Sequence, residues 1–398
     1  MSVYESLGLQ PIVNASGAVT RLGGARMSRA VVGAFSDAAR QSVPVEQVQA
    51  AASRAIAQVT GAEAGLVTTG SAAALTLGAA AILAGYDLGR MEMLPHCDGF
   101  PCEFVVAREH RNGYDHAVRA AGARLVDVGF NEVTAGAGVR RTEAWEYVAA
   151  FSKNTAGVLY VYSADSQPPL EEVVRSARQH NIPVLVDAAG ELPPRANLLL
   201  PRITGADLVA FSGGKAIRGP QSSGILCGRQ DLIASAALQM LDMDDYFELW
   251  DPPTELIDKK KLNGIPRHGI GRGMKVAIEE IVALMTALAI FAEGDFSDQL
   301  DEQRGFLQAI EEGLDGASAR CQRIEHDDGE TPPTLVISIP DSSSDSALEV
   351  CRRLRQGSPP VYVGHGRLHQ GALVINPTCL TAEDANVLVQ RLREELAN

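Results

Sequence analysis

The chain has no stretch of about 18 uninterrupted apolar residues, the minimum for a helix that crosses a bilayer. Its longest apolar window, Ile278 to Phe291, is broken by Glu279 and Glu280. The opening, MSVYESLGLQPIVNASG, lacks the basic start and apolar run of a secretory signal. Neither a membrane-embedded nor an exported protein is expected, and the expected compartment is the cytoplasm. Positive charge is also scarce: 35 Lys and Arg stand against 49 Asp and Glu, a formal charge of −14. Binding phosphate backbones needs a basic face, so nucleic acid is not an expected partner. The short basic patches, Lys259 to Lys261 and around Arg267 and Arg272, read as solvated helix ends.

Cysteine is sparse and scattered, at positions 97, 102, 227, 321, 351 and 379. A chain with a large core has no need of disulfides. Cys97 and Cys102, beside His96, suggest one half of a metal site, but no second ligand cluster follows them, and no metal is expected.

What the chain does have is 398 residues, 46% of them hydrophobic, enough for a large core and two domains. Short apolar runs bounded by Gly or polar residues alternate with longer segments of helical periodicity, the pattern of a mainly parallel sheet covered by helices. The predicted strands are Gly65 to Thr68, Phe104 to Ala107, Arg124 to Val128, Gly157 to Tyr162, Val184 to Asp187, Leu208 to Phe211 and Gly224 to Cys227. Predicted helices between them include Gln47 to Val59, Ala72 to Ala84, Gly113 to Ala121 and Glu171 to His180. Past Gly273 a long apolar helix, Met274 to Ala292, leads to Gln299 to Gly313 and Thr334 to Ile339. A Ser/Asp-rich turn, Ala347 to Arg355, Val361 to Val363, Ala372 to Ile375 and a final helix from Ala382 follow. The fold class expected is α/β, with a large seven-stranded sheet domain and a smaller α+β C-terminal domain. The divisions expected are an N-terminal arm at 1–45, the large domain at 46–273, and a linking helix with the small domain at 274–398.

Three segments carry chemistry. Phe211-Ser212-Gly213-Gly214-Lys215 follows a strand directly. A lysine in a Gly-rich turn at a strand end can approach a flat aromatic cofactor, shed water and act as a nucleophile. Asp187 ends the strand Val184 to Val186 and precedes Ala188-Ala189-Gly190, small residues that leave room for a ring. A carboxylate there can keep a pyridine nitrogen protonated, so that the cofactor works as an electron sink. Thr68-Thr69-Gly70-Ser71 turns from a strand into an Ala-rich helix, where free N–H groups and hydroxyls suit a phosphate. In chain order these supply a phosphate grip, a pyridinium partner and an imine-forming amine, which together point to pyridoxal 5'-phosphate (PLP). His110, just after the strand Phe104 to Ala107, stands where an imidazole can stack on the cofactor face.

These residues, with Val184 to Glu191, Thr60 to Leu75 and Gly269-Ile270-Gly271-Arg272-Gly273-Met274-Lys275-Val276, resemble the selenocysteine synthase-like group of fold-type I PLP enzymes. That group includes D-glucosaminate-6-phosphate ammonia-lyases and other small-molecule lyases. The opening Ile12 to Gly17 and Leu22-Gly23-Gly24 resemble it too, so the likeness runs from about residue 10 into the C-terminal domain. The resemblance implies that Lys215 carries the cofactor as a Schiff base and that Asp187 pairs with its ring nitrogen. It implies that Thr69, Gly70, Ser71 and Ser212 contact its phosphate and that His110 stacks on its ring. It also implies a homodimer or higher homo-oligomer with the active site at the interface, and makes Arg272 and Lys275 candidates for phosphate or substrate contact. Selenocysteine synthases proper carry an N-terminal tRNA-binding region and a more basic character. This acidic chain begins with the catalytic arm, so charged tRNA is not the expected substrate. Small-molecule relatives place an arginine soon after a Pro-Pro-Val/Ile-Tyr-Val run. Here the run Pro359 to Val363 is followed by Gly364-His365-Gly366 and the arginine is displaced to Arg367, the candidate for a substrate carboxylate.

The activity expected is a PLP-dependent lyase that removes the Cα proton, then a β-substituent and ammonia, from a small amino acid or amino sugar acid. A racemase or aldolase is the enzymatic alternative. A catalytically silent binding protein on the same fold is the other, and intact Lys215 and Asp187 argue against it.

Overall fold

A computed structural model describes residues 3–130, 140–294, 296–339 and 344–396. By internal contacts the chain divides into two units, Met27–Ala292 and Met1–Arg26 with Glu293–Asn398. The described strands are, in chain order, β1 (Val13–Ala15), β2 (Ala64–Thr68), β3 (Glu103–Ala107), β4 (Arg124–Val128), β5 (Thr155–Val161) and β6 (Val184–Asp187). They continue with β7 (Leu208–Ser212), β8 (Gly224–Gly228), β9 (Arg320–Ile324), β10 (Thr334–Ser338), β11 (Val361–Val363) and β12 (Ala372–Ile375).

The larger unit holds a seven-stranded sheet in the order β2-β8-β7-β6-β5-β3-β4. Every neighbouring pair is parallel except those made by β8, which runs against both β2 and β7. The exception has a simple cause: β7 and β8 are joined by a turn without a helix, too short for the crossover a parallel partner needs. Helices cover the sheet, so its central strands read as unbroken apolar runs, as in the four buried residues of β6. The helix Leu170–Gln179 buries Leu170, Val173, Val174 and Ala177, one stripe at helical spacing. The helix Gly70–Ala84 is apolar on all sides and almost wholly buried. Its Gly78 allows the closest approach: a Cβ there would stand 2.9 Å from Leu185 and 3.4 Å from both Leu208 and Leu226.

The edge strand β2 is closed off by side chains. Gln49, buried on the helix Val45–Thr60, donates through Nε2 to the Val67 carbonyl at 2.9 Å and accepts from the Val67 N–H at 3.0 Å. Ser53 accepts from the Gly65 N–H at 3.0 Å. A bare edge would offer these groups to another strand; here the helix takes them.

In the smaller unit β1 pairs in parallel with β11, and β12, β10 and β9 form an antiparallel sheet. Val13, Ala15, Leu307, Ile310, Leu335, Ile337, Leu354, Leu373, Ile375, Leu388 and Leu392 form its core. β9 was not expected. Its sequence, Arg-Cys-Gln-Arg-Ile, is polar and largely exposed, and only the ladder with β10 marks it as a strand. The Ser/Asp-rich turn lies largely outside the described residues.

The observed division differs from the expected one at 45/46 and 273/274. The segment around β1 belongs to the smaller unit because its ladder is with β11, more than 340 residues away. The long apolar helix belongs to the larger unit, where Leu284 packs against Gly213 and Gly219. That helix spans Ile278–Glu293, not Met274–Ala292: a 3₁₀ turn at Arg272–Met274 precedes it, and Lys275 is extended with ψ 142°. Among the described residues no helix is long and apolar enough to cross a membrane.

Candidate active site

The strand directions bring the ends of β2, β3, β5, β6 and β7 to one edge of the sheet, where β8 begins. Gly224 opens β8 and pairs in register with Thr68 on one side and Ser212 on the other. The helix start after β2 and the lysine turn after β7 therefore flank a single residue. Open α/β sheets bind ligands at this edge.

The lysine turn is held by its own backbone. Gly213 donates to the Ser223 carbonyl and Gly219 to the Gly213 carbonyl, both at 2.9 Å, and Arg218 donates to the Lys215 carbonyl at 3.0 Å. Two glycines are compulsory here: a Cβ on Gly213 would stand 2.3 Å from Ser223 Oγ, and one on Gly214 would stand 2.5 Å from the Gln221 Cα. The half-buried Lys215 side chain makes no hydrogen bond or ion pair with any described residue. Its Nζ lies 3.7 Å from the point where a Cβ on Gly190 would stand.

Asp187 ends β6, in register with Val161 of β5 and Ala210 of β7, and is 7% exposed. Its Oδ1 accepts from the Ala189 N–H at 3.0 Å. Burial pushes this carboxyl above the usual carboxylate range, against the opposing pulls of that N–H and of the Lys215 charge. Glu191 lies four residues on, in a segment where no sequence pattern singles it out. Burial lifts its carboxyl as well, with the Lys215 charge lowering it and the Asp187 charge raising it.

At the third element Gly70 adopts φ +81°, the left-handed region, and opens the helix Gly70–Ala84 without a side-chain cap. The Thr69 hydroxyl donates to the Met274 carbonyl at 3.1 Å, which ties the helix start to the 272–275 turn. The hydroxyls of Ser71 and Ser212, both half-buried, make no hydrogen bond with any described residue and remain available to an anion. Gly224 shapes this cradle: a Cβ there would stand 2.4 Å from the Gly70 carbonyl carbon and 2.6 Å from the Ser71 nitrogen. Gly224→Ala must displace that backbone. We expect it to raise the dissociation constant for PLP about tenfold with an unchanged circular dichroism spectrum. An unchanged constant in a fluorescence titration would remove the Gly70–Ser71 backbone from the phosphate site.

His110, in the turn Arg108–His110, is 6% exposed and meets the Tyr160 ring edge-on at 4.6 Å. Neither ring nitrogen reaches hydrogen-bond geometry with a described residue. Burial lowers its pKa from 6.5 to about 4, outweighing the Glu109 charge and the nearby Gln167 backbone, which favour the protonated ring. The imidazole is therefore neutral at working pH. The folded value lies below the unfolded one, so the stability linked to this group is full above about 6.5 and is lost as pH falls through about 4. The loss is about 3 kcal/mol. Urea melts of His110→Phe between pH 4 and 7 are expected to show a smaller drop than wild type; equal drops would mean His110 is not buried neutral.

Arg272 and Lys275 flank Met274, whose carbonyl accepts from Thr69. Arg272 is ion-paired with Asp242, and the exposed Lys275 joins it in lining a cavity of about 530 Å³ with Asp242, Glu279 and Glu280. Arg367 belongs to the smaller unit, half-buried at the start of the 3₁₀ turn Leu368–Gln370.

A buried carboxyl with one donor, an unengaged amine, small residues at 188–190 and an uncapped helix start with two unengaged hydroxyls fit the ring nitrogen, aldehyde and phosphate of PLP. Comparison with known proteins agrees. The aminotransferase class-V family model matches residues 165–353. A 5'-C-glycyluridine monooxygenase-decarboxylase from a Streptomyces species is 31% identical, over 99% of this chain and 92% of that protein. A D-glucosaminate-6-phosphate ammonia lyase from Salmonella typhimurium is 27% identical over 99% and 97%. A solved structure of such an ammonia-lyase superposes with a TM-score of 0.80 at 25% identity, covering both chains fully. An L-seryl-tRNA(Sec) selenium transferase from Desulfovibrio desulfuricans is 26% identical over 86% and 70%. With the unengaged Lys215 amine, the buried Asp187 and these likenesses together, the chain belongs to the selenocysteine synthase-like family of fold-type I PLP enzymes.

Proposed function

We propose that this enzyme is a lyase that removes the Cα proton, then a β-substituent and finally ammonia, from a small amino acid or amino sugar acid. The observation that carries the reading is the Lys215 amine, unpaired and beside Gly190, at the sheet edge where Asp187 ends. The ammonia-lyase likeness over the full chain supports it. PLP, when bound, draws electrons from the substrate Cα and so acidifies its proton.

The protein's part is done by named groups. Lys215 would hold the cofactor, and its amine, when free, would take the Cα proton. Asp187 keeps the ring nitrogen protonated. The Ser71 and Ser212 hydroxyls and the Gly70–Ser71 backbone grip the phosphate, with Thr69 bracing that turn through Met274. His110, neutral and buried, offers a ring face. Arg272, Lys275 and Arg367 are the cations proposed for the substrate's acidic groups. Tyr246 and Leu249, 76% and 73% exposed, support a homo-oligomeric assembly, and the scattered cysteine positions support a reducing compartment, the cytoplasm.

The test is to incubate the protein with D- and L-amino acids and amino sugar acids and to measure 2-oxo acid and ammonia. Release of both supports the lyase. Inversion of chirality alone would make it a racemase, release of an aldehyde an aldolase, and oxygen consumption with carbon dioxide release a decarboxylating oxygenase like the Streptomyces relative.

A further inference from the structure

We propose that Glu191 is a second proton-transfer residue of this enzyme, one that hands a proton to a β-hydroxyl leaving group while Lys215 takes the proton at Cα. The inference rests on the lyase reading above and narrows the substrate to β-hydroxy amino acids, the class that includes amino sugar acids.

Geometry carries it. From Asp187 the chain makes a tight turn through Ala188, Ala189 and Gly190, closed by the Glu191 N–H donating to the Ala188 carbonyl at 3.2 Å. The Asn197 side chain donates to the Glu191 carbonyl at 2.6 Å and fixes the turn from the other side. Between the two carboxyls lies Gly190, whose missing Cβ position is 3.7 Å from Lys215 Nζ. Glu191 is half-buried, and its carboxyl makes no hydrogen bond or ion pair with a described residue. The titratable groups acting on it are Lys215, Asp187 and the Tyr162 phenol, which follows β5. A half-buried carboxyl that feels the charge of a buried Asp resists ionising, since two like charges close together are costly. Burial and the Asp187 charge raise its pKa against the pull of Lys215, which favours the protonated form.

Lys215 cannot do both jobs at once. An amine that has just taken a proton at Cα has become an ammonium, while a hydroxide needs a proton of its own to leave. The Cα–H bond breaks and its proton goes to the Lys215 amine. The electron pair becomes the Cα–Cβ double bond. The Cβ–O bond breaks with its pair on oxygen, which takes the Glu191 proton and departs as water. The Lys215 ammonium then returns its proton to the Glu191 carboxylate, and both groups are restored.

The experiment compares wild type and Glu191→Gln, both loaded with PLP, in D₂O. Exchange of the substrate Cα–H is read by mass spectrometry beside 2-oxo acid release, for a β-hydroxy amino acid and for its β-chloro counterpart, whose leaving group needs no proton. In the variant we expect exchange within about threefold of wild type and elimination of the hydroxyl down about 10²- to 10⁴-fold. Chloride elimination should return to within about tenfold of wild type. Exchange and elimination falling together, or no recovery with chloride, would overturn the inference. In the cofactor-free protein, infrared spectroscopy should show a protonated-carboxyl band, separate from that of Asp187, that survives above the pH where exposed glutamates titrate and is missing in Glu191→Gln. Its absence from wild type would equally overturn the role. Wild type that exchanges no Cα–H on any substrate would sink the lyase reading itself, and this inference with it.

Discussion

Lys215→Ala is expected to cost about 10⁴-fold or more in turnover while leaving the fold intact. In the proposed reaction the lysine both carries the cofactor and moves the Cα proton, so its loss would remove two roles at once. Nothing structural depends on it: the turn is closed by backbone bonds among Gly213, Arg218, Gly219 and Ser223, and the side chain has no partner among the described residues. The melting temperature of the cofactor-free variant should stay within about 2 °C of wild type. Lys215→Arg should fail equally, because a guanidinium does not give up its proton in a protein. Turnover within tenfold of wild type in either variant, measured beside a thermal melt, would mean that another amine does the work.

Asp187→Asn is expected to lower turnover about 10²- to 10⁴-fold and, at neutral pH without cofactor, to raise the melting temperature by about 2 °C or more. The two effects share a cause. The carboxyl is buried with the Ala189 N–H as its one hydrogen-bond donor among the described residues, and burial holds its pKa above the ordinary 3.8. The unfolded chain gives up that proton first, so ionisation favours unfolding. The stability linked to Asp187 is full below about 3.8 and is lost as pH rises through the higher folded value. Asn keeps an acceptor for Ala189 and carries no charge to bury. It also cannot hold a pyridine nitrogen protonated, so the cofactor's electron sink is lost. Added PLP should therefore stabilise wild type more than the variant. A cofactor-free Asp187→Asn less stable than wild type at pH 7, with no crossing at lower pH, would mean that the carboxylate is held by something other than a ligand.

The three segments of the proposed site stood out in the sequence because each sits at a strand end. Lys215, Asp187 and Gly70 each follow a short apolar run directly, and a parallel sheet sends such ends to one edge, so local patterns were enough to bring the three together. The glycines of the lysine turn announced themselves for the same reason: without them Ser223 and Gln221 could not pack where they do. What escaped was decided at a distance. The strand β1 belongs to the smaller unit only through its ladder with β11. β9 has no apolar alternation to betray it. The helix expected from Met274 begins later because Thr69 takes the Met274 carbonyl and Lys275 is extended, and neither fact has a local signature. Glu191 was hidden in another way. A glutamate in a Gly- and Pro-flanked loop looks like a solvated charge, and only the turn that folds it back toward Asp187 and Lys215 sets it apart.

The most direct measurement of the central claim is to supply the protein with PLP, reduce it with borohydride, digest it and locate the added mass. The expected result is a single modified peptide, the one containing Lys215, together with loss of the absorbance near about 410–430 nm. A label on other lysines such as Lys259 to Lys261, or no label in a protein that nonetheless turns over substrate, would contradict it.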